Sequence, residues 1–321
     1  MKSGFWEKLK KPIMVLAPMA NVTDAAFRWI IAKYGKPDVL WTEFVSADGL
    51  CSAGREKLLV DLQYSESERP IVAQLFSANP EKMYEAAVLV KQLGFDGLDI
   101  NMGCPDRNVE KQGAGAALIK NPRRAREIVR AAIEGAGGLP VSVKTRLGYN
   151  KDELETWLPE LLSEPVAVVT VHARTRKEMS AVPARWERVR RAVQIRNELK
   201  SPALIFGNGD VTDLADARAK VAETGADGVM LGRAIFGNPF LFCDPPRQVS
   251  ARQRLEVMVE HAKLFEKLLG PHKNFAVMKK HFKAYVNGLD GAKEFRVKLM
   301  EVGSAEEAER IVGDFLAHSI Q

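Results

Sequence analysis

The sequence has few cysteines and no long apolar run, and these absences exclude several classes of protein. Three cysteines (Cys51, Cys104 and Cys243) occur among 321 residues, too few for a disulfide framework or a cysteine-rich zinc site, so we expect a reducing compartment. No apolar run approaches the roughly 18 residues of a membrane-spanning helix. Residues 1–11 lack an apolar core followed by a small-residue cleavage site, so no secretory signal is visible. We expect a cytoplasmic protein with no membrane association and no metal.

The sequence also has no strong excess of one charge and no low-complexity composition. The 47 basic and 41 acidic residues leave a net charge of +6, and apolar residues make up 46% of the chain. These values are close to those of ordinary folded domains and exclude extensive disorder. The small positive charge is compatible with a polyanionic partner, although many proteins without one share it.

Short apolar runs alternate with amphipathic stretches over residues 1–244. The runs are almost continuously apolar, as is typical of parallel strands covered by helices on both faces. Asn79-Pro80 and Asn121-Pro122 predict helix starts, and Gly94 and Gly135 predict where those two helices end. The eight runs are residues 13–17, 39–43, 70–75, 97–100, 141–145, 166–172, 203–207 and 228–231. Eight such units predict an α/β fold of the (β/α)8 TIM-barrel type, with an open doubly wound sheet as the alternative.

The pattern changes at Asp244-Pro245-Pro246, and residues 247–321 contain no strand-like run. Helical periodicity predicts a small all-helical domain with helices at residues 251–269, 274–287, 292–300 and 305–317. Between Lys263 and Lys298 there are nine basic residues and three acidic ones, a local net charge of +6. Such a stretch is either a solvated helix face or a surface that binds phosphates.

Polar or small residues stand where most of the predicted strands end. In a parallel barrel these carboxyl ends form one mouth, which carries the chemistry. The candidates are Pro18, Met19 and Ala20 after the first run, Gln74 in the third, Asn101 and Cys104 after the fourth, Lys144 and Arg146 at the fifth, His172 and Arg174 at the sixth, Asn208, Gly209 and Asp210 after the seventh, and Gly232 and Arg233 after the eighth. So many polar groups facing one mouth indicate a binding site.

The last two strand ends predict a phosphate site. Gly207, Gly209 and Gly232 allow backbone amides to approach an anion, and residues 234–237 are compatible with a short helix pointing at the same place. The loops after the seventh and eighth strands are the usual phosphate site of such barrels. The alternative is that these glycines only make tight turns.

Lys144, Gln74 and Asn101 have several possible roles. Lys144 in the mouth suits a Schiff base or a cation that stabilises a developing anion, and its structural alternative is a salt-bridged lysine. Gln74 and Asn101 offer amide donors and acceptors to a planar heterocycle such as an isoalloxazine or a pyrimidine, or are satisfied core amides.

Cys104 follows a glycine and precedes a proline in a loop, where a thiol near basic groups acts as an acid or a nucleophile. The alternative is a buried, inert thiol, which is how we interpret Cys51 and Cys243. His172 is a candidate general base, a phosphate contact or a packed core histidine.

Taken together, these segments resemble the dihydrouridine synthases, flavoenzymes that reduce uridine in transfer RNA. The resemblance runs in order along nearly the whole chain. It rests above all on Ala17-Pro18-Met19-Ala20, on Asp99-Ile100-Asn101-Met102-Gly103-Cys104-Pro105, on Lys144-Thr145-Arg146-Leu147-Gly148, on Gly207-Asn208-Gly209-Asp210 and on the segment from Lys280 to Arg296.

The resemblance implies a barrel that binds FMN over residues 1–244 and a helical domain that binds tRNA over residues 247–321. The residues it assigns to FMN are Pro18, Met19, Ala20, Gln74, Lys144, His172, Asn208, Gly209, Asp210, Gly232 and Arg233. Those it assigns to the substrate are Asn101, Arg146 and Arg174 near the uracil and Lys279, Lys280, Lys283 and Arg296 along the RNA. It further implies NADPH as the reductant, hydride transfer from flavin N5 to uracil C6, and proton donation from Cys104 to C5. We expect a monomer.

The sequence departs from the family pattern after His172. The family has a tyrosine eight positions later, beside the uracil, and then Gly and Ala-Asp-Trp, whereas this chain has Ser180, Val182 and Ala184-Arg185-Trp186. An alternative is therefore an FMN barrel that reduces or oxidises a free pyrimidine, as dihydroorotate dehydrogenases do, although such an enzyme needs no basic helical domain. A non-catalytic RNA-binding protein would have lost Cys104 or the phosphate loops, and both are present.

Overall fold

The computed structural model describes residues 4–319 of the chain. Its centre is formed by eight parallel strands: β1 (Ile13–Leu16), β2 (Leu40–Ser46), β3 (Ile71–Phe76), β4 (Gly97–Met102), β5 (Val141–Arg146), β6 (Val168–His172), β7 (Leu204–Asn208) and β8 (Gly228–Leu231). Neighbours pair in the order β1-β8-β7-β6-β5-β4-β3-β2, and a parallel bridge from Val15 to Val39 closes the barrel between β1 and β2. The predicted (β/α)8 barrel is confirmed, and the open-sheet alternative is wrong.

The barrel interior is filled with apolar side chains, as the continuously apolar strands predict. Val15, Trp41, Val168 and Phe206 belong to this inner cluster. Trp6, in the 3-10 helix Gly4–Lys8, packs edge-on against Phe206 with ring centroids 5.7 Å apart and so covers the amino-terminal end of the barrel. In barrels of this kind the chemistry lies at the opposite end, where the strands have their carboxyl ends.

The outer layer of the barrel consists of helices that pack on the strands. They are α1 (Ala25–Tyr34), α2 (Ala47–Leu50), α3 (Arg55–Leu59), α4 (Pro80–Gln92), α5 (Arg107–Lys111), α6 (Pro122–Ala136), α7 (Leu154–Leu162), α8 (Trp186–Glu198) and α9 (Leu214–Thr224). The predicted start signals are confirmed, because the Asn79 side chain accepts hydrogen bonds from the first amides of α4 and the Asn121 side chain does the same in α6.

The predicted end of α6 at Gly135 is wrong. The helix continues to Ala136, and Gly137, with a left-handed φ of 52°, ends it. Gly135 is a glycine for a different reason, since a Cβ atom there would lie 2.3 Å from the main-chain oxygen of Tyr84 in α4. A tertiary contact between two helices, and not a helix end, therefore explains this residue.

The chain ends in four helices, as predicted. They are α10 (Ala251–Leu269), α11 (Met278–Tyr285), α12 (Ala292–Glu301) and α13 (Ala305–Ser319), and a 3-10 turn at Phe275–Val277 precedes α11. Their apolar core continues into the barrel layer, because it includes Ala26 and Ile30 of α1 and Phe240 from the segment after β8. Within residues 4–319, no helix is long and apolar enough to cross a membrane.

Polar contacts also connect these helices to the barrel. The Lys273 ammonium bonds to the carboxylates of Glu43 in β2 (2.8 Å) and Asp61 (2.7 Å), and Lys33 of α1 pairs with Glu260 of α10 (2.5 Å). Glu43 and Lys273 are largely buried, so breaking this pair would leave an uncompensated charge. These contacts hold the helices beside the mouth of the barrel.

Candidate functional site

A cavity of about 300 Å³ opens at the carboxyl ends of the strands. Strands β1, β5, β6, β7 and β8 each contribute side chains or glycines to its wall. The predicted site residues that line it are Pro18, Met19, Lys144, Arg146, His172, Arg174, Asn208, Gly209, Asp210, Gly232 and Arg233. Ala20, Gln74, Asn101 and Cys104 lie outside this lining, so direct ligand contact by these four stays a prediction.

The β7 and β8 ends of the cavity have the features of an anion site. Gly209 has a φ of 128°, and a Cβ atom there would lie 2.8 Å from that of Ala184, so the position requires glycine. Arg233 begins a short 3-10 helix, Arg233–Ile235, which replaces the predicted helix at 234–237. Gly207 is required for packing, because a Cβ atom there would lie 2.3 Å from the Trp186 ring.

Asp210 lies between two arginines at the same end of the cavity. It forms ion pairs with Arg174 and, at 2.7 Å, with Arg233. The hydrogen bond from Arg174 lowers the pKa of Asp210, so the carboxylate stays charged and fixes both guanidinium groups. The Asn208 amide donates to the Met230 carbonyl (2.7 Å), which joins the ends of β7 and β8. Asn208 and Asp210 therefore position the anion site.

Lys144 is a half-buried cation that feels the charge of Asp99 but does not form an ion pair with it among the described residues. Among residues 4–319, its ammonium makes no hydrogen bond or ion pair, so the salt-bridged alternative is wrong. Burial and, after it, the positive charge of Arg146 lower the pKa of Lys144 to about 8. An ammonium held in this way at a cavity wall is available to an anionic ligand.

Gln74 and Asn101 belong to a hydrogen-bonded network behind Lys144. The Asn101 amide donates to the Gln74 side-chain oxygen (3.0 Å), and Gln74 donates to Asp99 (2.6 Å). Burial raises the pKa of Asp99 to about 6. Asp99 was not among the predicted site residues, although its position two residues before Asn101 puts both on the same face of β4. The network favours the satisfied-amide interpretation and fixes the strand ends beside Lys144.

Asn101 also shapes the loop that carries Cys104. Its side-chain oxygen accepts hydrogen bonds from the amides of Gly103 (3.1 Å) and Cys104 (2.9 Å). Cys104 is half-buried and packs against the apolar cluster of Phe76 and Val109. This burial raises the pKa of the Cys104 thiol, so the thiol keeps its proton at neutral pH. A protonated thiol suits an acid and disfavours a thiolate nucleophile.

Arg146 binds main-chain carbonyls of two loops. Its Nε donates to the Gly103 carbonyl (2.8 Å), and its Nη1 donates to the carbonyls of Thr175 (3.1 Å) and Met179 (3.2 Å). Sequence reasoning missed these contacts, because they connect residues 29 to 43 positions apart. The side chain also lines the cavity, so Arg146 holds both loops and keeps a surface toward a ligand.

His172 is neutral, because burial followed by the charge of Lys144 lowers its pKa well below the ordinary value. Its Nε2 lies 3.3 Å from Nη1 of Arg174. Since an arginine only donates, Nε2 accepts and the proton is on Nδ1. A neutral histidine in the cavity wall offers a hydrogen bond to a ligand without adding charge.

The basic residues of the C-terminal helices differ in whether they form ion pairs within the protein. Lys263 pairs with Glu309 (2.7 Å) and Lys273 pairs with Glu43, so these two serve the fold and not a partner. The predicted RNA contacts differ from them: Lys283 and Arg296 are exposed and Lys279 and Lys280 are half-buried. Among residues 4–319, none of these four forms an ion pair. Their binding to RNA stays a prediction.

Comparisons with known proteins agree with this geometry. A family model described as dihydrouridine synthase (Dus) matches residues 15–320. A probable tRNA-dihydrouridine synthase of Staphylococcus aureus (strain COL) is 40% identical over 320 residues, which cover 99% of this chain and 97% of that protein. Probable tRNA-dihydrouridine synthase 2 of Bacillus subtilis (strain 168) is 39% identical over 318 residues, with 98% and 97% covered.

Solved structures support the fold at much lower sequence identity. The 6-hydroxypseudooxynicotine amine oxidase of Pseudomonas geniculata N1 matches with a TM-score of 0.55 and 14% identity, covering 81% of this chain and 53% of that chain. Histamine dehydrogenase from Rhizobium sp. 4-9 matches with a TM-score of 0.53 and 14% identity, covering 78% and 48%. The full-length match to curated relatives goes further than this shared fold and confirms the family resemblance. The chain is an enzyme of the dihydrouridine synthase family.

Proposed function

We propose that this protein reduces uridine to 5,6-dihydrouridine in tRNA, with FMN as bound cofactor and NADPH as reductant. The observation that carries the proposal is the Lys144 ammonium, which forms no hydrogen bond or ion pair within residues 4–319 and lies in one cavity with an anion site. The names of the curated relatives, which this chain matches over its full length, supply the substrate class.

The residues that line the cavity would suit a flavin mononucleotide. The amides around Gly209 and Gly232 and the Arg233 guanidinium would hold the phosphate, and Asp210 keeps that guanidinium in place at 2.7 Å. Lys144 would face the pyrimidine part of the ring, where its charge balances the anion of the reduced cofactor. His172 would add a neutral hydrogen bond. When bound, the flavin supplies a hydride to C6 of the uracil after NADPH has reduced it.

Cys104 would supply the proton that completes the reduction. Hydride addition at C6 leaves negative charge on C5 and O4 of the uracil, and C5 must then take up a proton. The raised pKa of Cys104 keeps its thiol protonated until this charge develops. Asn101 and Arg146 hold the loop directly before Cys104, because the amide of Gly103 donates to Asn101 and its carbonyl accepts from Arg146. The chain's own residues thus place an acid without creating a thiolate.

The RNA would reach the site by base flipping. A uridine inside folded tRNA cannot enter a barrel mouth while it is stacked, so it must be swung out of its stack. Lys279, Lys280, Lys283 and Arg296 form no ion pair with any residue that the structure describes and would bind the neighbouring phosphates. A free pyrimidine, the alternative substrate, would need none of these cations.

Mass spectrometry tests the proposal directly. FMN-loaded protein is incubated with NADPH and an unmodified tRNA transcript, and in parallel with free uridine, uracil and dihydroorotate. Because the turnover of dihydroorotate is an oxidation, its incubation contains an electron acceptor in place of NADPH. We expect dihydrouridine in the digested tRNA and no turnover of the free pyrimidines. Turnover of a free pyrimidine without any RNA product would contradict the proposal and support the alternative.

A further inference from the structure

We propose that Met179 forms the apolar wall against which the target base packs, in place of the tyrosine that this chain lacks. This inference rests on the proposed function. It assigns a substrate-contacting, specificity-determining role to a residue of the loop between β6 and α8, residues 173–185.

Met179 is a large apolar residue whose side chain is exposed at the wall of the cavity. Six large apolar side chains are exposed among the residues that the structure describes, and of these only Met179, 53% exposed, lines the cavity. Its φ of 50° is left-handed, a conformation that a side chain with a Cβ atom rarely adopts. An exposed apolar residue in a strained conformation at a cavity is typical of a binding surface.

The loop around Met179 is held in place by charged side chains. Arg176 forms an ion pair with Glu110 of α5, with its Nε 2.8 Å from Oε1. Arg174 donates to the Val182 carbonyl (2.5 Å) on the other side of the loop tip. These contacts fix the main chain on both sides of Met179, so its side chain is presented to the cavity by a supported loop.

The guanidinium of Arg146 connects the main chain of Met179 to the loop that carries Cys104. Arg146 donates through Nη1 to the Met179 carbonyl (3.2 Å) and through Nε to the Gly103 carbonyl (2.8 Å), and Cys104 is the residue after Gly103. The two loops therefore approach each other within the reach of a single side chain. A base that receives a proton from Cys104 must lie at this junction, where Met179 provides an apolar surface.

The chemistry of a thioether suits this position. A uracil ring is flat before the reaction, whereas dihydrouracil has two tetrahedral carbons and is puckered. Methionine is flexible and polarisable, so it contacts both shapes and makes favourable sulfur–ring contacts with the flat one. Ser180, which occupies the position of the family's tyrosine, is too small to do so.

Oxidative footprinting tests contact with the base independently of turnover. FMN-loaded protein is treated briefly with hydrogen peroxide, with and without unmodified tRNA, and Met179 sulfoxide is measured by mass spectrometry. We expect tRNA to slow the oxidation of Met179 severalfold, and tRNA with its reducible uridines replaced by cytidine to slow it less. Equal oxidation with and without tRNA would overturn the proposal, as would full protection by FMN alone.

Steady-state kinetics with variants provide the second test. M179A should raise KM for tRNA by up to about tenfold, the range of a lost sulfur–ring contact, while M179L keeps most of the apolar contact. V182A, in the same loop but outside the cavity lining, is the matched control and should behave like the wild type. NADPH oxidation without RNA should be equal in V182A and the wild type, because Val182 lies outside the cavity lining.

The outcomes separate this inference from the proposed function. If the wild-type protein forms no dihydrouridine in tRNA, the proposed function fails. If the wild type forms dihydrouridine and M179A has the same KM as V182A, only the role of Met179 fails.

Discussion

At the scale of single residues, burial is the largest cause of the shifted pKa values in the site. Burial raises the pKa values of Cys104 and Asp99 and lowers those of Lys144 and His172. The result is a thiol that keeps its proton and a lysine that is half-charged near pH 8. Lys144 can therefore change or balance charge close to physiological pH, whereas the Cys104 thiol keeps its proton there.

Replacing the thiol tests its role as an acid. In Cys104→Ala we expect flavin binding and NADPH oxidation to persist, while dihydrouridine formation falls by about 10²- to 10⁴-fold, the usual contribution of general acid catalysis. Mass spectrometry of digested tRNA measures the product. Cys51→Ala, which removes a thiol that is not part of the cavity lining, is the matched control and should retain full activity. An undiminished product yield in Cys104→Ala would rule out the acid role.

We expect Lys144 to lower the free energy of unfolding of the flavin-free protein, because its ammonium is kept for an anionic ligand. Its pKa of about 8 in the fold lies below the ordinary 10.5, so proton binding favours the unfolded chain. At pH 7, Lys144→Met should therefore raise the free energy of unfolding of the flavin-free protein, by on the order of 2 kcal/mol. This gain should shrink as the pH rises from 8 to 10.5, where the wild-type lysine is neutral in both states.

Urea unfolding at several pH values measures this gain, and fluorescence titration with FMN measures affinity. We expect Lys144→Met to bind FMN more weakly although it is more stable, since the cation for the ring is gone. Lower stability together with unchanged affinity would show that Lys144 has a structural role.

At the scale of elements, the pattern of the sequence predicted the strands and helices because their signals are local. Eight apolar runs became strands, and cap residues such as Asn79 and Asn121 started their helices as expected. Gly135 was misassigned because its cause is a contact with another helix, and the contacts of Arg146 with Gly103 and Met179 were missed for the same reason. Contacts between distant parts of the chain leave no periodic signal.

Two helical glycines give a matched test of this explanation. Gly135→Ala gains helix propensity but places a Cβ atom 2.3 Å from the Tyr84 oxygen, so we expect it to be destabilising by about 1–3 kcal/mol. Gly313→Ala in α13 meets no atom within 4 Å, so propensity alone should stabilise it by up to about 1 kcal/mol. Chemical denaturation measures both. Equal changes in the two variants would contradict the packing explanation of Gly135.

At the scale of the whole molecule, the C-terminal helices are joined firmly to the barrel mouth. They share an apolar core with α1, and Lys273 reaches Glu43 and Asp61 of the barrel. Cations on these helices are therefore held at fixed distances from the cavity. Such an arrangement suits a folded RNA, whose phosphates must be bound at one place while its base enters another.

The salt dependence of RNA binding tests which of these cations face the partner. Lys279, Lys280 and Lys283 have no internal ion pair among the described residues, so changing all three to Gln should weaken tRNA binding. If each lysine contacts one phosphate, the slope of log affinity against log salt should flatten by about 2 to 3. The matched control is Lys263→Gln, which removes a lysine that is already neutralised by Glu309 and should change the slope little. Filter binding at several salt concentrations gives both slopes, and an unchanged slope in the triple variant would place the RNA elsewhere on the molecule.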